Sequence, residues 1–437
     1  MAERLSIPHK IWRALPVRHR RAVLAAAAGL LAPRKDAVPP RVSDGIVVAG
    51  EFSQTTGVAE AARVFAGACT QLGVAQGTLD LGVGGRPAGA IAKNAALLLT
   101  VNAPSIPLMF ARADKGIFRG HRIIGHWAWE LPVVPKSWEV GRRYVHEAWT
   151  CSAFAAGALE RVMPGRVRVV PYPLAMLAPP DAAADFCDAA RMVQRAAGAG
   201  LGPAPGPDAR AAAFLGLERA ADRAGFGMPA GAVVTAMVFS LGSSFVRKNP
   251  LAGIRAFVRA FGDRDDQLLV VKFSGAAAFA REAAALAAAV AGRRNVKLFS
   301  GNWPAERLAA FLACADIVLS LHRAEGFGLV PAQAMLRGTP VVATGWSGNM
   351  TYMDADSAAL VGFELVPVVD AGQIYESMPG AVWAEPDVGH AAEQLRRLGD
   401  DAGQRAALGR QGQVFAGAAL NGDALRAALA ANGIDGA

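Results

Sequence analysis

The sequence predicts an α/β protein with two doubly wound Rossmann-like domains that face a cleft. The 437 residues are too many for one compact core, which favours two domains. Short apolar runs alternate with Ala-rich helical stretches along most of the chain. Such alternation is typical of parallel sheets that are covered on both faces. One stretch, 176–231, is rich in Ala, Gly and Pro and interrupts the alternation, so we expect it to separate the two domains.

Two sets of apolar runs define the two predicted sheets. The first set contains IVVAG, followed by a helix from about Gly57 to Leu72, and then ALLLTV, RIIGH, AWTC and VRVVP. The second set contains VVTAMVFS, LLVVKF, NVKLF, DIVLSL, PVVAT and AALVG. The predicted parts are a basic amphipathic segment at 1–42, an N-terminal domain at 43–175, a linker or insertion at 176–231, a C-terminal domain at 232–400 and a helical tail at 401–437.

The net charge of +9 is concentrated at the start of the chain. Residues 1–35 carry eight Lys and Arg against one Glu, a net +7. Two interpretations of this amphipathic stretch stay open: a surface helix that packs on the body, or an anchor on an anionic membrane surface. The rest of the chain shows no basic stripe interleaved with aromatic residues, so we expect no nucleic-acid partner.

Cysteine usage and hydropathy bear on the compartment. The four Cys are widely spaced, with no CxxC pair and no His at metal-ligand spacing, which indicates buried thiols in a reducing compartment. No apolar run approaches the roughly 20 residues of a membrane-spanning helix. We therefore expect a cytoplasmic protein, which is peripheral on the inner face of the cytoplasmic membrane if residues 1–35 form an anchor.

A strand-to-helix turn, HRAEGFGLVPAQAM, carries the strongest chemical signal. Gly326 and Gly328 remove side chains where the amides of the first helical turn are free, which suits an anionic or hydroxyl-rich group. Glu325, beside them, can accept hydrogen bonds from sugar hydroxyls. For this motif alone, a tight glycine turn with a solvated Glu is the alternative.

Two further strand ends of the second domain favour the same ligand. Arg247 and Lys248 lie between a strand and a helix, where adjacent cations can clamp a diphosphate and neutralise its charge as a glycosidic bond breaks. The loop that contains Asn302 also follows a strand and can receive a nucleobase on its backbone. Taken alone, the Arg-Lys pair is more typical of a surface basic pair at a helix start, and the Asn302 loop carries little signal by itself.

The first domain supplies the opposite wall of the predicted cleft. GEFSQTTGVAEAAR places Gly57 at a strand-to-helix turn, where the backbone can approach a phosphate or an acceptor, and Asn102 follows another strand. The fingerprint GxGxxG is absent from this turn, which counts against a dinucleotide oxidoreductase. The stretch IIGHWAWELP is predicted to place four side chains just past a strand end, facing the cleft: His126, Trp127, Trp129 and Glu130. The alternative is that the two Trp lie in the core beside a structural His.

In order and spacing, the blocks RKNPLAGIRAF, LHRAEGFGLVPAQAM, GTPVVATGWSGNM and WAEPD resemble the retaining GT-B glycosyltransferases of family four. The resemblance covers about 45–400. It implies transfer of a sugar, with retention of configuration, from a UDP- or GDP-sugar to a saccharide or lipid-linked saccharide in bacterial polysaccharide or glycolipid assembly. It implies no metal and no cofactor besides the donor substrate.

The resemblance also assigns roles to positions of this chain. It implies that Glu325 contacts the transferred sugar, that the amides of 326–329 meet sugar and phosphate, and that His126 touches the sugar from the other domain. We call Arg247, Lys248 and residues 325–329 the donor seat, which His322 and Asn349 are expected to border. The predicted set is catalytic His126, Glu130, Lys248 and Glu325; donor-binding Gly57, Arg247, Lys248, Asn302, Glu325, Gly326, Phe327, Gly328, Leu329 and Gln333; and acceptor-binding Asn102, Trp127 and Trp129.

One departure from the family pattern is plain. The family places a second Glu eight positions after the first, and this chain has Gln333 there. A neutral amide is a weaker acceptor than a carboxylate for a ribose hydroxyl. Two other functions therefore stay open: a sugar-nucleotide epimerase of the same architecture, or a noncatalytic nucleotide-sugar-binding module.

Overall fold

The computed structural model of the chain describes residues 28–54, 56–82, 91–112, 118–177, 222–370, 375 and 378–434. Of the predicted basic segment, residues 1–27 lie outside the described residues, and so do 178–221 of the predicted linker and 435–437 of the predicted tail.

The first domain is built on six parallel strands in the order β2-β1-β3-β4-β5-β6. The strands are β1 (Ile46–Gly50), β2 (Ala75–Asp80), β3 (Ala96–Leu99), β4 (Ile123–His126), β5 (Glu147–Thr150) and β6 (Val167–Val169). Five of them coincide with predicted apolar runs. The sequence does not predict β2, because this edge strand reads AQGTLD and buries only Leu79 fully.

Three helices of the first domain begin near the carboxyl edge of its sheet: α1 (Gly57–Gln71), α2 (Ile106–Arg112) and α3 (Ala153–Leu159). Side chains cap two of them. The Thr56 hydroxyl accepts from the Ala59 N–H at 3.2 Å, and the Ser152 hydroxyl accepts from the Ala155 N–H at 3.1 Å. These caps satisfy amides that have no partner within the helix.

The second domain repeats this plan with six parallel strands in the order β12-β11-β10-β7-β8-β9. The strands are β7 (Val233–Ser240), β8 (Gln267–Ser274), β9 (Val296–Ser300), β10 (Ile317–Ser320), β11 (Val341–Thr344) and β12 (Ala359–Val361). All six coincide with predicted apolar runs. The helices between and after them are α4 (Phe245–Lys248), α5 (Pro250–Phe261), α6 (Ala280–Ala289), α7 (Ala305–Ala313), α8 (Leu329–Leu336) and α9 (Val388–Asp400).

An antiparallel hairpin follows the second sheet, and the sequence does not predict it. Its strands are β13 (Phe363–Pro367) and β14 (Val382–Pro386), which pair in register from Phe363 opposite Pro386 to Pro367 opposite Val382. Between these strands the chain reaches the first domain, where the Tyr375 ring packs against Trp129 with centroids 5.7 Å apart. The hairpin connection therefore joins the two domains.

Two helices end the described chain, α10 (Ala402–Ala419) and α11 (Asp423–Ala430). The Gln413 side chain of α10 donates to the Leu336 carbonyl at the end of α8, at 3.1 Å. Beyond α10 the chain returns to the first domain, where the Ala175 N–H donates to the Leu420 carbonyl at 3.1 Å. The two domains are thus tied together at their ends as well as through the hairpin connection.

The buried core is continuous across both domains. One cluster of buried apolar side chains includes Ile46 and Trp149 of the first sheet and Val318 and Val341 of the second. Within the described ranges, no helix is both long enough and apolar enough to cross a bilayer. The predicted buried thiols are found at Cys69, Cys151 and Cys314, while Cys187 lies outside the described residues.

Candidate active site

The carboxyl edges of the two sheets face each other, and each sheet has a switch point in its strand order. In each sheet the first strand lies inside the strand order, so the chain moves outward on both sides of it; in α/β sheets this is where a crevice for ligands opens. In the first sheet the crevice lies between β1 and β3, and in the second between β7 and β10. The Ser152 hydroxyl, after β5, donates to the Gly326 carbonyl, after β10, at 2.8 Å. The predicted facing arrangement of the two domains is therefore confirmed.

Four charged side chains meet where the two crevices face each other. The Lys248 ammonium donates to one oxygen of Glu325, and an Arg247 guanidinium nitrogen lies 3.2 Å from the other. A second guanidinium nitrogen lies 3.7 Å from Glu130 of the first domain. Arg247 also donates to the carbonyls of Ala324 at 2.7 Å and Ser243 at 2.8 Å. The predicted cations and carboxylates are thus brought together, and both domains contribute to the cluster.

Burial and charge act against each other on the ionisable groups of this cluster. Burial raises the pKa of Glu325, but the nearby Lys248 and Arg247 charges outweigh it and hold the pKa at about 2. Burial lowers the pKa of Lys248, and Glu325 opposes that shift. Glu325 is 6% exposed and Arg247 is 3% exposed. The carboxylate therefore stays ionised across the physiological pH range.

Backbone conformation aims the two cations into the crevice. The four-residue helix α4 carries Arg247 and Lys248 at its end, and residues with positive φ bracket it: Ser244 at 66° and Asn249 at 49°. Positive φ is uncommon for a residue with a Cβ and concentrates at functional sites, although Asn tolerates it. The chain therefore bends sharply before and after this short helix, and both adjacent cations reach Glu325.

The glycine-rich turn presents backbone rather than side chains. Gly328 adopts a φ of 89° directly before α8, and the Tyr352 hydroxyl donates to the Phe327 carbonyl at 2.9 Å. The Phe327 side chain is 3% exposed and packs between the rings of Tyr172 and Tyr352. Among the residues that the structure describes, no acceptor is found for the N–H groups of 326–329. Those amides can therefore bind an anionic ligand.

A buried polar network holds the backbone of Glu325. The Glu325 N–H donates to the Ser347 hydroxyl at 2.9 Å, and that hydroxyl lies 3.3 Å from the Asn349 carboxamide oxygen. His322 bonds the same oxygen through Nε2 at 3.0 Å and the Ser320 hydroxyl through Nδ1 at 3.0 Å. Sequence reasoning placed His322 and Asn349 beside the donor seat but missed Ser347. Its signal is the WSGN turn, where Ser347 has a φ of 85°.

His126 lies on the first-domain side of the site in a cluster of aromatic rings. Its ring lies 4.8 Å from that of Phe65 and 5.1 Å from that of Tyr172, and Tyr172 contacts Phe327 at 4.7 Å. His126 is 2% exposed, and its Nε2 has no hydrogen-bond partner among the described residues. Burial lowers the pKa of His126 to about 3, so the ring is neutral at pH 7. One neutral ring nitrogen is therefore left unpaired next to the donor seat.

The structure corrects the predicted position of Trp127. Its side chain is fully buried in the core of the first domain, not directed at the cleft. The backbone N–H of Trp127 donates to the Trp149 carbonyl at 2.8 Å, which continues the strand pairing one residue past β4. Gly125 and Gly141 make room for the indole, since a Cβ at Gly141 would come within 2.5 Å of it. An acceptor cannot reach this side chain.

Trp129 and Asn102 also serve the frame of the site. Trp129 is 7% exposed, and its indole N–H donates to the Val133 carbonyl at 2.8 Å. Its own carbonyl covers the glycine turn, because a Cβ at Gly326 would lie 2.9 Å from that oxygen. The Asn102 carboxamide accepts from the Ala128 N–H at 2.9 Å and so holds the segment after β4. Their predicted acceptor contacts stay predictions.

The remaining predicted positions lie around this centre. Gly57 is close to Leu329 across the two domains, 4.0 Å between its would-be Cβ and a Leu329 methyl. Gln333 is partly exposed one turn further along α8. Asn302 is exposed after β9, which is three strands from β10 and thus about 14 Å away. That spacing suits a nucleotide whose base lies at 302 and whose phosphates lie at the donor seat.

Lys272 is a functional candidate that sequence reasoning missed. It lies on β8, is 5% exposed, donates to the Gly301 carbonyl at 2.8 Å and has its ammonium 5.2 Å from the centre of the Trp303 ring. Burial lowers its pKa. The available signal was a charged residue inside the apolar run LLVVKF, since a buried strand rarely holds a Lys without a partner.

Comparison with known proteins gives a family match for part of the chain. Residues 220–408, less than half of the chain, match the family model described as family 4 glycosyltransferase in conflict systems. The match confirms the resemblance to family 4 glycosyltransferases for the part of the chain that contains the donor seat. A search of curated proteins found no match.

Solved structures match nearly the whole chain. HepE (Alr3699) of Anabaena, in complex with UDP and glucose, is 13% identical over 89% of this chain and 100% of its own, with a TM-score of 0.55. A glycosyltransferase from Rickettsia africae ESF-5 is 12% identical over 89% and 98%, with a TM-score of 0.58. WaaG, a glycosyltransferase involved in lipopolysaccharide biosynthesis, is 16% identical over 90% and 100%, with a TM-score of 0.50. At these identities the likeness shows the fold, and that fold is GT-B.

Proposed function

We propose that the protein is a glycosyltransferase that moves a sugar from a nucleotide diphosphate sugar to a saccharide or lipid-linked saccharide acceptor, with retention of configuration. The observation that carries the proposal is the meeting of Arg247, Lys248, Glu325 and the free amides of 326–329 at the switch point of the second sheet. UDP is the first donor nucleotide to test, because HepE, which has the same fold, binds UDP. A role in bacterial polysaccharide or glycolipid assembly is part of the proposal.

The residues divide the reaction between them. Arg247, Lys248 and the amides hold the diphosphate and stabilise its charge as the bond from the sugar C1 to phosphate breaks. The Glu325 carboxylate accepts a hydrogen bond from a sugar hydroxyl, and His126 contacts the sugar from the first domain. The acceptor oxygen bonds to C1 on the face that phosphate leaves, and its proton passes to the departing phosphate. The proposal requires no metal, so EDTA should leave turnover unchanged.

The deciding experiment incubates the full chain with UDP-, GDP- and dTDP-sugars and a panel of saccharide and lipid-linked acceptors. Release of the nucleoside diphosphate with a new glycosidic bond supports the proposal, and NMR of the anomeric proton reports retention or inversion. Deuterium entering the sugar in deuterated water, with no transfer, identifies an epimerase instead. Tight donor binding with neither reaction identifies a binding module.

Gln333→Glu should strengthen donor binding. Gln333 lies four positions after Leu329 on α8, so it shares the face that begins at the donor seat. A carboxylate accepts a ribose hydroxyl more strongly than an amide does, by about 1 kcal/mol, which is roughly fivefold in the dissociation constant for UDP. Calorimetric titration with UDP measures this effect. Exposed Gln404→Glu, on α10, is the control, and equal UDP affinity of Q333E and wild type would refute the assignment.

We also propose that residues 1–35 bind an anionic membrane surface. In the described part of this segment, Leu30 is 88% exposed and Leu31 is 61% exposed, close in sequence to Arg34 and Lys35. Apolar side chains next to cations favour an anionic lipid interface. The full chain should float with phosphatidylserine vesicles at low salt, and a chain lacking 1–35 should not. Flotation of the shortened chain would show that this segment is not the anchor.

A further inference from the structure

One contact joins the first domain directly to the glycine turn. The Ser152 hydroxyl and the Cys151 thiol both approach the Gly326 carbonyl, at 2.8 Å and 3.3 Å, although 174 and 175 positions separate them from it in the chain. Both side chains are fully buried. We call these three residues the closure contact.

The closure contact determines the direction of one peptide group. The backbone of Gly326 is closely packed, because a Cβ there would lie 2.9 Å from the Trp129 carbonyl and a Cβ at Gly348 would lie 1.9 Å from the Gly326 oxygen. A trans peptide is planar, so its C=O and N–H point in opposite directions. Ser152 therefore holds the Gly326 carbonyl on its own side and turns the Phe327 N–H away from itself.

The neighbouring peptides are held by the other domain. The Tyr352 hydroxyl bonds the carbonyls of Phe327 and Gly328, at 2.9 Å and 2.5 Å, which by the same planarity orients the N–H groups of Gly328 and Leu329. Tyr352 belongs to the second domain, so these two amides stay oriented in any arrangement of the domains. The Glu325 carbonyl accepts from the Gly348 N–H at 2.8 Å, which orients the Gly326 amide in the same way. Of the four amides of 326–329, only that of Phe327 is oriented from the first domain.

We infer that Ser152 is a positioning residue that makes the Phe327 amide of the donor seat available only when the two domains are closed. The inference rests on the proposed function, because the ligand of those amides is the donor diphosphate. Donor binding and approach of the acceptor domain are thereby coupled, because the diphosphate gains the Phe327 N–H as a donor when water is excluded from the sugar.

The test removes the Ser152 hydroxyl by a substitution that a helix N-cap tolerates. Ser152 also caps α3 through the Ala155 N–H, and Gly is tolerated at this position with a loss of a few tenths of a kcal/mol. S152G therefore loses the bond to Gly326 and keeps most of α3, while S152T keeps the hydroxyl. D401G, which removes the cap of α10 far from the site, controls for cap loss. S152A repeats the measurement if S152G lowers the melting temperature more than D401G does.

We expect S152G to lower the turnover number for transfer roughly 10- to 100-fold and to raise the donor KM, because the Phe327 amide is no longer oriented for the diphosphate. The ratio of donor hydrolysis to transfer should rise at least about tenfold, because water reaches the sugar when the bond from Ser152 to Gly326 no longer holds the domains closed. A variant that only loses stability lowers both rates together, so the ratio separates the two explanations. S152T and D401G should keep the wild-type ratio. A wild-type ratio in S152G would overturn the inference.

A second readout does not depend on turnover. Small-angle X-ray scattering of the ligand-free full chain should give a larger radius of gyration for S152G than for wild type, S152T and D401G. If wild type transfers no sugar at all, the proposed function fails, and the scattering still decides whether Ser152 holds the domains closed. Identical scattering of S152G and wild type would show that it does not.

Discussion

Glu325→Gln is expected to lower the turnover number for transfer by about 10²- to 10³-fold and to tighten the binding of UDP roughly tenfold. Transfer falls because the variant loses the anionic acceptor for the sugar hydroxyl. Binding of UDP improves because Glu325 occupies the cations that the diphosphate needs: it bonds Lys248 and lies 3.2 Å from Arg247. In the absence of donor, the Glu325 carboxylate therefore competes with the diphosphate for Arg247 and Lys248. When donor is bound, the carboxylate accepts a hydrogen bond from the sugar instead.

Opposite movements of turnover and affinity make this result specific. A variant with a distorted site loses both, and a variant at an unimportant position changes neither. Steady-state kinetics and calorimetric titration with UDP measure the two quantities. Glu385→Gln is the matched control, since Glu385 pairs with Arg323 at 2.5 Å in the same domain but outside the donor seat. Full activity in E325Q, or UDP affinity below that of wild type, would contradict the proposed role.

The free energy of unfolding of E325Q should depend on pH less steeply than that of wild type between pH 4.5 and 2. The folded-state pKa of Glu325 is about 2, below its ordinary value of 4.5, so its ionised form contributes stability above pH 4.5. That contribution is lost as the pH falls from 4.5 towards 2. E325Q lacks this group, so its free energy of unfolding should be lower at pH 7 and should fall less steeply over the same interval.

The parts of the site that the sequence predicts are those with local signals. Arg247, Lys248 and Glu325 are charged residues at the ends of apolar runs, and the carboxyl ends of parallel strands share one edge of a sheet. The interior strands are predictable for the same reason, because burial on both faces requires apolar side chains. The polar edge strand β2 and the hairpin β13–β14 carry no such pattern.

The parts that the sequence does not reveal depend on contacts between distant segments. Ser152 reads as a helix cap, and only the folded chain shows that its hydroxyl also reaches Gly326. Tyr352 and Ser347 act on the backbone of the glycine turn from 20 or more positions away. Trp127 shows the converse error: it follows a strand end, but two glycines that lack a Cβ admit its indole into the core.

Arg247→Met is expected to lower the free energy of unfolding by about 3 to 5 kcal/mol, because it leaves Glu325 buried with one cation fewer. The Arg247 side chain is 4% exposed and lies 3.2 Å from Glu325 and 3.7 Å from Glu130, so its loss also leaves the domain interface with unbalanced negative charge. The carbonyls of Ala324 and Ser243 lose their donors as well. Urea unfolding at pH 7 measures the effect.

Arg264→Met supplies the matched control for this prediction. Arg264 pairs with Asp266 and Asp400 at 2.7 Å each, but its side chain is 42% exposed, so its loss should cost less than about 1 kcal/mol. Arg247→Lys should fall between the two Met variants, since an ammonium keeps the charge but cannot bridge two carboxylates and two carbonyls as the guanidinium fork does. Equal costs for R247M and R264M would mean that the cluster does not hold the domains together, and the donor seat would then need the ligand itself to assemble it.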